Sequence, residues 1–507
     1  MKKKILLGVI ICIAVIGGYF VFSGKDADKA GVVGEEIIFC QGNDLTTMDN
    51  NVGIQERACA LTNNMFDSLL TFDSEMKLVP CLAESYEWID DKTLEMKVRS
   101  GVKFHDGSVM TPEDVAFTMD RINEKGSLFG NLYHGTEIID GNTIRIKLNS
   151  PNPSFPNLLA VPYAGIVPKK VVDADPDNFG KNPVGTGPYK LKDFKEGDYY
   201  TLERFDECWN GPAKTKLLTM KIVPETSQRI MMLETGDVNV AYDVPPSSIQ
   251  RIKDDKNLQL LTCETMKVYM INFNCKSNGP LKNVKVRKAI AAAINKEEIV
   301  DKLLHGYGTV ATSMIPPKAK EYENQPIADY SPDEAKKLLK EAGYADGCKL
   351  QLITDGNQTS TECAQIIQDQ LSKIGIELEL KVQDLNTTFS MLQSGQDFDM
   401  IMDFFNLVAG HADLVYKRVL YSDSKSNWCN YKNPDYDACY NSYTSAPEGP
   451  ERDNLRKKAN EYFINDVPVL PLWVEEKVIG AQANIKGIKL SPIGSHEYQN
   501  AEIVVTE

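Results

Sequence analysis

Residues 349–405 read "KLQLITDGNQTSTECAQIIQDQLSKIGIELELKVQDLNTTFSMLQSGQDFDMIMDFF", and their apolar period alternates between that of a strand and that of a helix. Lys349 to Thr354 fits a strand, and Thr361 to Gly375 repeats its apolar residues at helical spacing and stops at a glycine. "IELELKVQD" is strand again, "NTTFSMLQSGQ" helix and "FDMIMDFF" strand, so the spacing predicts a βαβαβ unit. Right-handed crossovers make such strands parallel in one sheet, and ligands bind beyond their carboxyl ends. Two loops are thereby nominated. One holds Asp355, Gly356 and Asn357 after the first strand; the other, "NLVAGHADL", holds Asn406, His411 and Asp413 after the third. Just upstream, "YSPDEAKKLLKEAGY" opens with Ser331, Pro332 and Glu334 as a capping box and closes on Gly343, a helix with both ends written in.

The chain has 507 residues, 42% hydrophobic and 25% charged, the composition of a soluble globular protein of two or three domains. Its formal charge is −15, or −18 with 53 basic against 71 acidic residues if Lys2 to Lys4 leave with a leader. That balance argues against nucleic acid or an anionic membrane surface as partner and suits a cationic or zwitterionic ligand. "MKKK" followed by the 18 uncharged residues Ile5 to Phe22 reads as an export signal or an N-terminal membrane anchor, so residues 1–24 place the chain outside the cytoplasm, released or anchored. Cys12 lacks the small neighbours of a lipidation site. The other ten cysteines contain no CxxC and are expected as buried or unreactive thiols, with Cys263/Cys275 and Cys429/Cys439 the pairs to test for disulfides.

Catalytic motifs are absent: there is no HExxH, GxSxG or GxxxxGK[ST], and the five histidines are scattered. "GVKFHDGSVMTPEDV" (101–115) crowds acids, hydroxyls and His105, yet Asp106-Gly107 is a turn pair and Thr111-Pro112-Glu113-Asp114 a helix start, which makes the stretch scaffold. "NPVGTGPYKL" (182–191) is no phosphate cradle, because Pro188 removes an N–H where a helix would begin, and it reads as a turn feeding a strand.

Read in order, "PCLAESYEWIDDKTLEMKVRSGVKFHDGSVMTPEDVAFTMDRI", "NPVGTGPYKLKDF", "ERFDECWNGP", "PETSQRIMMLETGDVNVA", "GPLKNVKVRKAIAAAINKEEIV" and "FINDVPVLPLWVEEKV" resemble the family 5 extracellular solute-binding proteins, the peptide and nickel receptors of ABC importers. Asn239 and Asn295 stand where the family usually has an acid, and the lipobox is missing.

The resemblance implies an α/β, two-lobed type II periplasmic-binding-protein fold with an inserted subdomain. Lobe I is expected at 36–75, 185–271 and 480–507, the inserted subdomain at 76–184 and lobe II at 272–479, with crossings near "KVYMINFNC" and "VIGAQ" serving as a hinge. It implies a monomeric binding protein rather than an enzyme, without a cofactor, that closes on a di- or oligopeptide and hands it to ABC permease subunits. A nickel chelate, another small solute, or a sensor or chaperone role are the alternatives. Asp413 resembles the family aspartate that holds a peptide ammonium, against the plainer reading of a solvated loop aspartate. His411 would matter for a nickel chelate. Trp428 and Trp473 are aromatic candidates for ligand stacking or for packing.

Overall fold

The computed structural model describes residues 34–52, 60–126, 128–276, 278–394 and 398–504. The expected leader with Cys12, and Cys59, lie outside the described residues. In chain order come β1 (Glu36–Gln41) and the hairpin β2 (Leu70–Phe72) and β3 (Leu78–Pro80). Strands β4 (Ala83–Trp88), β5 (Thr93–Val98), β6 (Tyr133–Ile138) and β7 (Thr143–Leu148) form an antiparallel sheet of their own in the order β4-β5-β7-β6. Helix α1 (Pro112–Arg121) lies between β5 and β6 in the chain. It starts on a complete capping box, in which Asp114 N–H donates to the Thr111 hydroxyl and Thr111 N–H donates back to the Asp114 carboxylate.

Ile485–Lys486 pairs separately with Glu502–Ile503, and the largest sheet has 11 strands. Its members are β1, β8 (Tyr189–Lys195), β9 (Tyr199–Arg204), β10 (Leu217–Ile222), β11 (Val240–Ala241), β12 (Leu258–Phe273), β13 (Gly308–Val310), β14 (Cys348–Thr354), β15 (Ile376–Val382), β16 (Met400–Asn406) and β17 (Val469–Gln482). The order runs β15-β14-β16-β12-β17-β11-β1-β10-β9-β8, with β13 added to β17. Helices α2 (Pro332–Glu341), α3 (Gln358–Ser372), α4 (Leu385–Ser394), α5 (Ala412–Leu420), α6 (Pro434–Ser445) and α7 (Pro450–Asp466) come from the second half of the chain. The opening βαβαβ unit is β14-α3-β15-α4-β16, and β14 lies between its two partners, parallel to both. Leu350, Leu352, Met400 and Met402 are buried against Cys363, Ala364, Ile367 and Leu371 of α3. Each such aliphatic side chain contributes roughly 1.5–3 kcal/mol of hydrophobic stabilisation.

Helix α2 departs slightly from expectation. The Ser331 hydroxyl accepts from Glu334 N–H, but the Glu334 carboxylate turns to Lys337, so only half the capping box forms; Gly343 follows the last turn at φ 93°.

The stretch at 101–115 is scaffold. His105 Nδ1 accepts from Gly185 N–H at 3.1 Å and its Nε2 bonds the Gly187 carbonyl at 3.0 Å, clamping the "VGTG" loop, and burial pushes the ring down to about 4, so it stays neutral. The glycines are there for close approach: a Cβ on Gly185 would lie 2.1 Å from the Met65 carbonyl oxygen, and one on Gly187 2.7 Å from the Met65 carbonyl carbon. Asn239 and Asn295 keep an acceptor where an acid was expected, taking N–H bonds from Ile38 at 2.7 Å and Glu298 at 2.9 Å.

The nine described cysteines are free thiols, as expected, and neither pair singled out for testing is bridged. Cys263 lies within β12 and Cys275 two residues past its end, so extended backbone separates them by roughly 40 Å, far beyond a disulfide. Cys429 turns its thiol to the Val419 carbonyl and Cys439 to that of Leu455. Among the described residues no helix is long and apolar enough to cross a membrane.

Candidate functional site

The sheet itself defines the site. In one half, β1 and β11 are parallel, and β11 pairs antiparallel with β17 through Val240↔Ala481 and Ala241↔Gly480. In the other, β14 and β16 are parallel, and β16 pairs antiparallel with β12 from Phe273↔Met400 to Lys267↔Asn406. The carboxyl ends of both parallel sets therefore point at each other across the middle of β12 and β17. That middle, Glu264 to Val268 and Val474 to Lys477, is also where the β12–β17 ladder breaks register. The strand-end rule makes this region the candidate ligand site.

Of the residues nominated from sequence, Asn406 lies here. Asn406 is half-buried opposite Lys267, and its Oδ1 is buried without a hydrogen-bond partner among the described residues; so is the hydroxyl of Thr354 at the end of β14. Asp355 and Asn357 follow Thr354, but both are occupied locally. Asn357 N–H donates to Asp355, and the Asn357 side chain caps α3 by accepting from Thr359 N–H at 2.9 Å. Trp428 is buried with Ile353, Met391, Phe398 and Ile401, under the guanidinium of Arg418. Trp473 is buried too, stacked on Tyr269 at 4.4 Å.

His411 and Asp413 come together, in a cluster that sequence did not foresee. His411 precedes α5 and Asp413 sits in its first turn, both buried. The imidazole faces Asp413 at 3.1 Å through Nδ1 and Glu321 at 2.8 Å through Nε2. Arg452 Nη2 donates to both oxygens of Asp413 and to Ser154 Oγ, which lies against the imidazole. Burial alone would depress His411, but Asp413 and Glu321 outweigh it and push it up to about 10; burial likewise opposes ionisation of Asp413, and His411 and then Arg452 hold it well below the usual carboxylate range. An ammonium reaching Asp413 would have to displace one of these internal cations. The same loop packs on the other half of the molecule, for Asn157 donates to the Ala409 carbonyl at 2.9 Å and a Cβ on Gly410 would meet Met76 and Phe72.

Sequence reasoning missed Arg452, though a signal existed: Arg452, Arg456 and Asn460 follow at i, i+4 and i+8 on α7, a polar stripe on its buried face. It also missed the charges on the floor of the site. Asp243, just past β11, pairs with Lys477 of β17, and Lys267 Nζ lies 3.3 Å from Glu475. Asp243 and Lys267 are far in the chain from Glu475 and Lys477, and only the sheet register unites the two sets. In the other half, Asp403 of β16 is bonded to Arg418 at 2.8 Å, yet burial pushes its carboxyl up to about 6. Among the described residues no group of three or more His, Cys, Asp or Glu side chains is arranged to hold a metal.

Comparison with known proteins agrees with this architecture. The profile of the bacterial extracellular solute-binding proteins, family 5 Middle, matches residues 77–427. The glutathione-binding protein GsiB of Escherichia coli O1:K1 / APEC is 29% identical over 485 residues, covering 92% of this chain and 94% of its own. Among solved structures, the ABC transporter substrate-binding protein CtaP of Listeria monocytogenes superposes with a TM-score of 0.85 at 24% identity, over 93% of this chain and 100% of its own. DppA of Helicobacter pylori, in complex with the peptide STSA, gives 0.80 at 22% identity, over 93% and 98%. The chain belongs to the family 5 bacterial extracellular solute-binding proteins and is a binding protein, not an enzyme.

Proposed function

We propose that this chain is the receptor of an ABC importer, capturing a short peptide or peptide-like zwitterion outside the cytoplasmic membrane and presenting it to the permease. The observation that carries this reading is the convergence of strand carboxyl ends on a floor bearing charges of both signs, with Asn406 Oδ1 left without a partner opposite Lys267 and Thr354 Oγ1 without one at the end of β14. Buried polar atoms are normally satisfied, and a peptide backbone supplies the donors that these two acceptors lack. The names of the relatives, glutathione-binding protein and a peptide-bound DppA, support a ligand of this size.

In this reading the lobes keep the limits expected from sequence, except that the crossings move to 264–268 and 474–477, where the strand ends meet. Closure brings the two sets of ends together over the ligand. A nickel chelate gains nothing from His411, whose ring nitrogens face Asp413 and Glu321. The test is mass spectrometry of the solute released from purified protein, followed by calorimetry with that solute. A peptide or γ-linked peptide supports the proposal, whereas a sugar or a metal chelate overturns it. Small-angle scattering with the bound solute should give a smaller radius of gyration, and an unchanged profile would remove lobe closure.

A further inference from the structure

Asp243 and Lys477 stand where the carboxyl end of β11 faces the crossover strand β17. Their side chains are 46% and 25% exposed, so this ion pair, unlike the Arg452–Asp413 pair, is open to a solute. Asp243 adopts φ 57°, in the left-handed region, which holds its carboxylate at the turn after β11. Lys477 is its hydrogen-bond partner through Oδ1. Lys477 and then burial set its state: the ammonium keeps Asp243 ionised below its ordinary range, while Asp243 and Glu475 overcome burial to hold Lys477 charged. The site thus offers one anion and one cation in contact, with Glu475 and Lys267 continuing the alternation at 3.3 Å.

We infer that Asp243 and Lys477 receive the ammonium and the carboxylate of a free α-amino-acid head group, both carried on one carbon of the ligand. This rests on the receptor reading above and narrows its ligand class. Two protein charges in contact are matched only by two ligand charges that are themselves adjacent. The amino end of an ordinary α-linked peptide carries an ammonium next to a neutral amide, which satisfies Asp243 and leaves Lys477 without a counterpart. A γ-linked glutamyl peptide or a free amino acid presents both groups together. The four charges then close an alternating ring, each ligand group displacing half of the internal pair, and no charge is left buried and alone.

The test is calorimetric titration of the full chain with γ-Glu-Cys-Gly and with its α-linked isomer, under reducing conditions. The γ isomer should bind at least about tenfold tighter, the effect of one charge-assisted contact. Lys477→Met should bring the γ isomer down to the affinity of the α isomer and leave the α isomer nearly unchanged, while Asp243→Asn should weaken both. Equal affinity of the two isomers for the unaltered protein overturns the inference, and needs no variant to fold. If other peptides bind and neither isomer does, the inference fails and the receptor reading stands; if no peptide or amino acid binds at all, the receptor reading itself falls.

Discussion

Arg452 holds its Nη2 3.0 and 3.1 Å from the two carboxylate oxygens of Asp413, with both side chains almost completely buried. Removing one member of such a pair strands the other, at a cost of about 3–5 kcal/mol. Asp413→Ala should therefore lower the urea midpoint strongly. The double variant Asp413→Leu with Arg452→Met should recover much of the loss, since an apolar pair of similar volume replaces a buried ion pair nearly neutrally. Additive losses in that cycle would mean that the two side chains do not interact.

The same cluster predicts a pH dependence. His411 is raised from its ordinary 6.5 to about 10, so the stability it contributes is fully present below about pH 6.5 and is lost as pH rises toward 10. The melting temperature should decline across that window, and His411→Gln should flatten the decline while lowering stability at pH 6. An unaltered slope in the variant would show that another group titrates.

His105→Ala removes the clamp on the "VGTG" loop, two hydrogen bonds in all, and should cost about 1–3 kcal/mol in denaturant unfolding. Ligand affinity should stay unchanged, because the residue lies in scaffold. Gly187→Ala should destabilise by a similar about 1–3 kcal/mol, its methyl forced against the backbone of Asn64 and Met65. A fully folded His105→Ala protein that no longer binds would reverse the assignment.

Reductant should leave the melting temperature where it is, since the described cysteines are free thiols. Burial pushes the Cys275 thiol up to about 11 and the Cys40 thiol up to about 12, so native alkylation should be slow at neutral pH and should accelerate in denaturant. A shift of several degrees on reduction would reveal a disulfide.

What was legible in the sequence was local. The βαβαβ unit, the Thr111 and Ser331 caps and the turn role of "NPVGTGP" all follow from spacing within a few residues, and the structure has each of them. Asn406 does stand at the end of β16, as the strand reading expected, because strand ends are also local. Asp355 and Asn357 looked equally apt; their exposed side chains each also hold a local hydrogen bond, in the turn and in the cap, which residue type alone does not reveal. For Asp413 the sequence left two readings, an anchor for a ligand ammonium or a solvated loop aspartate, and neither anticipated internal cations: His411 stands two residues before it and Arg452 39 residues further on. Asp243 and Lys477 are 234 residues apart and carried no signal at all before the register of β11 and β17 was known.

If the lobes close as proposed, the register breaks between β12 and β17 are where the sheet would flex. The β12–β17 ladder shifts register between Tyr269 and Met270 and, over a longer gap, between Glu264 and Val268, where the Thr265 hydroxyl steps in, donating to the Glu475 carbonyl at 3.0 Å and accepting from Lys267 N–H at 3.1 Å. A bulge concentrates twist where rungs are missing. Such a joint would work as a torsion bar rather than a door on pins: its restoring torque would reside in continuous strands, with one threonine hydroxyl, bonded to the Glu475 carbonyl and the Lys267 N–H, at its centre.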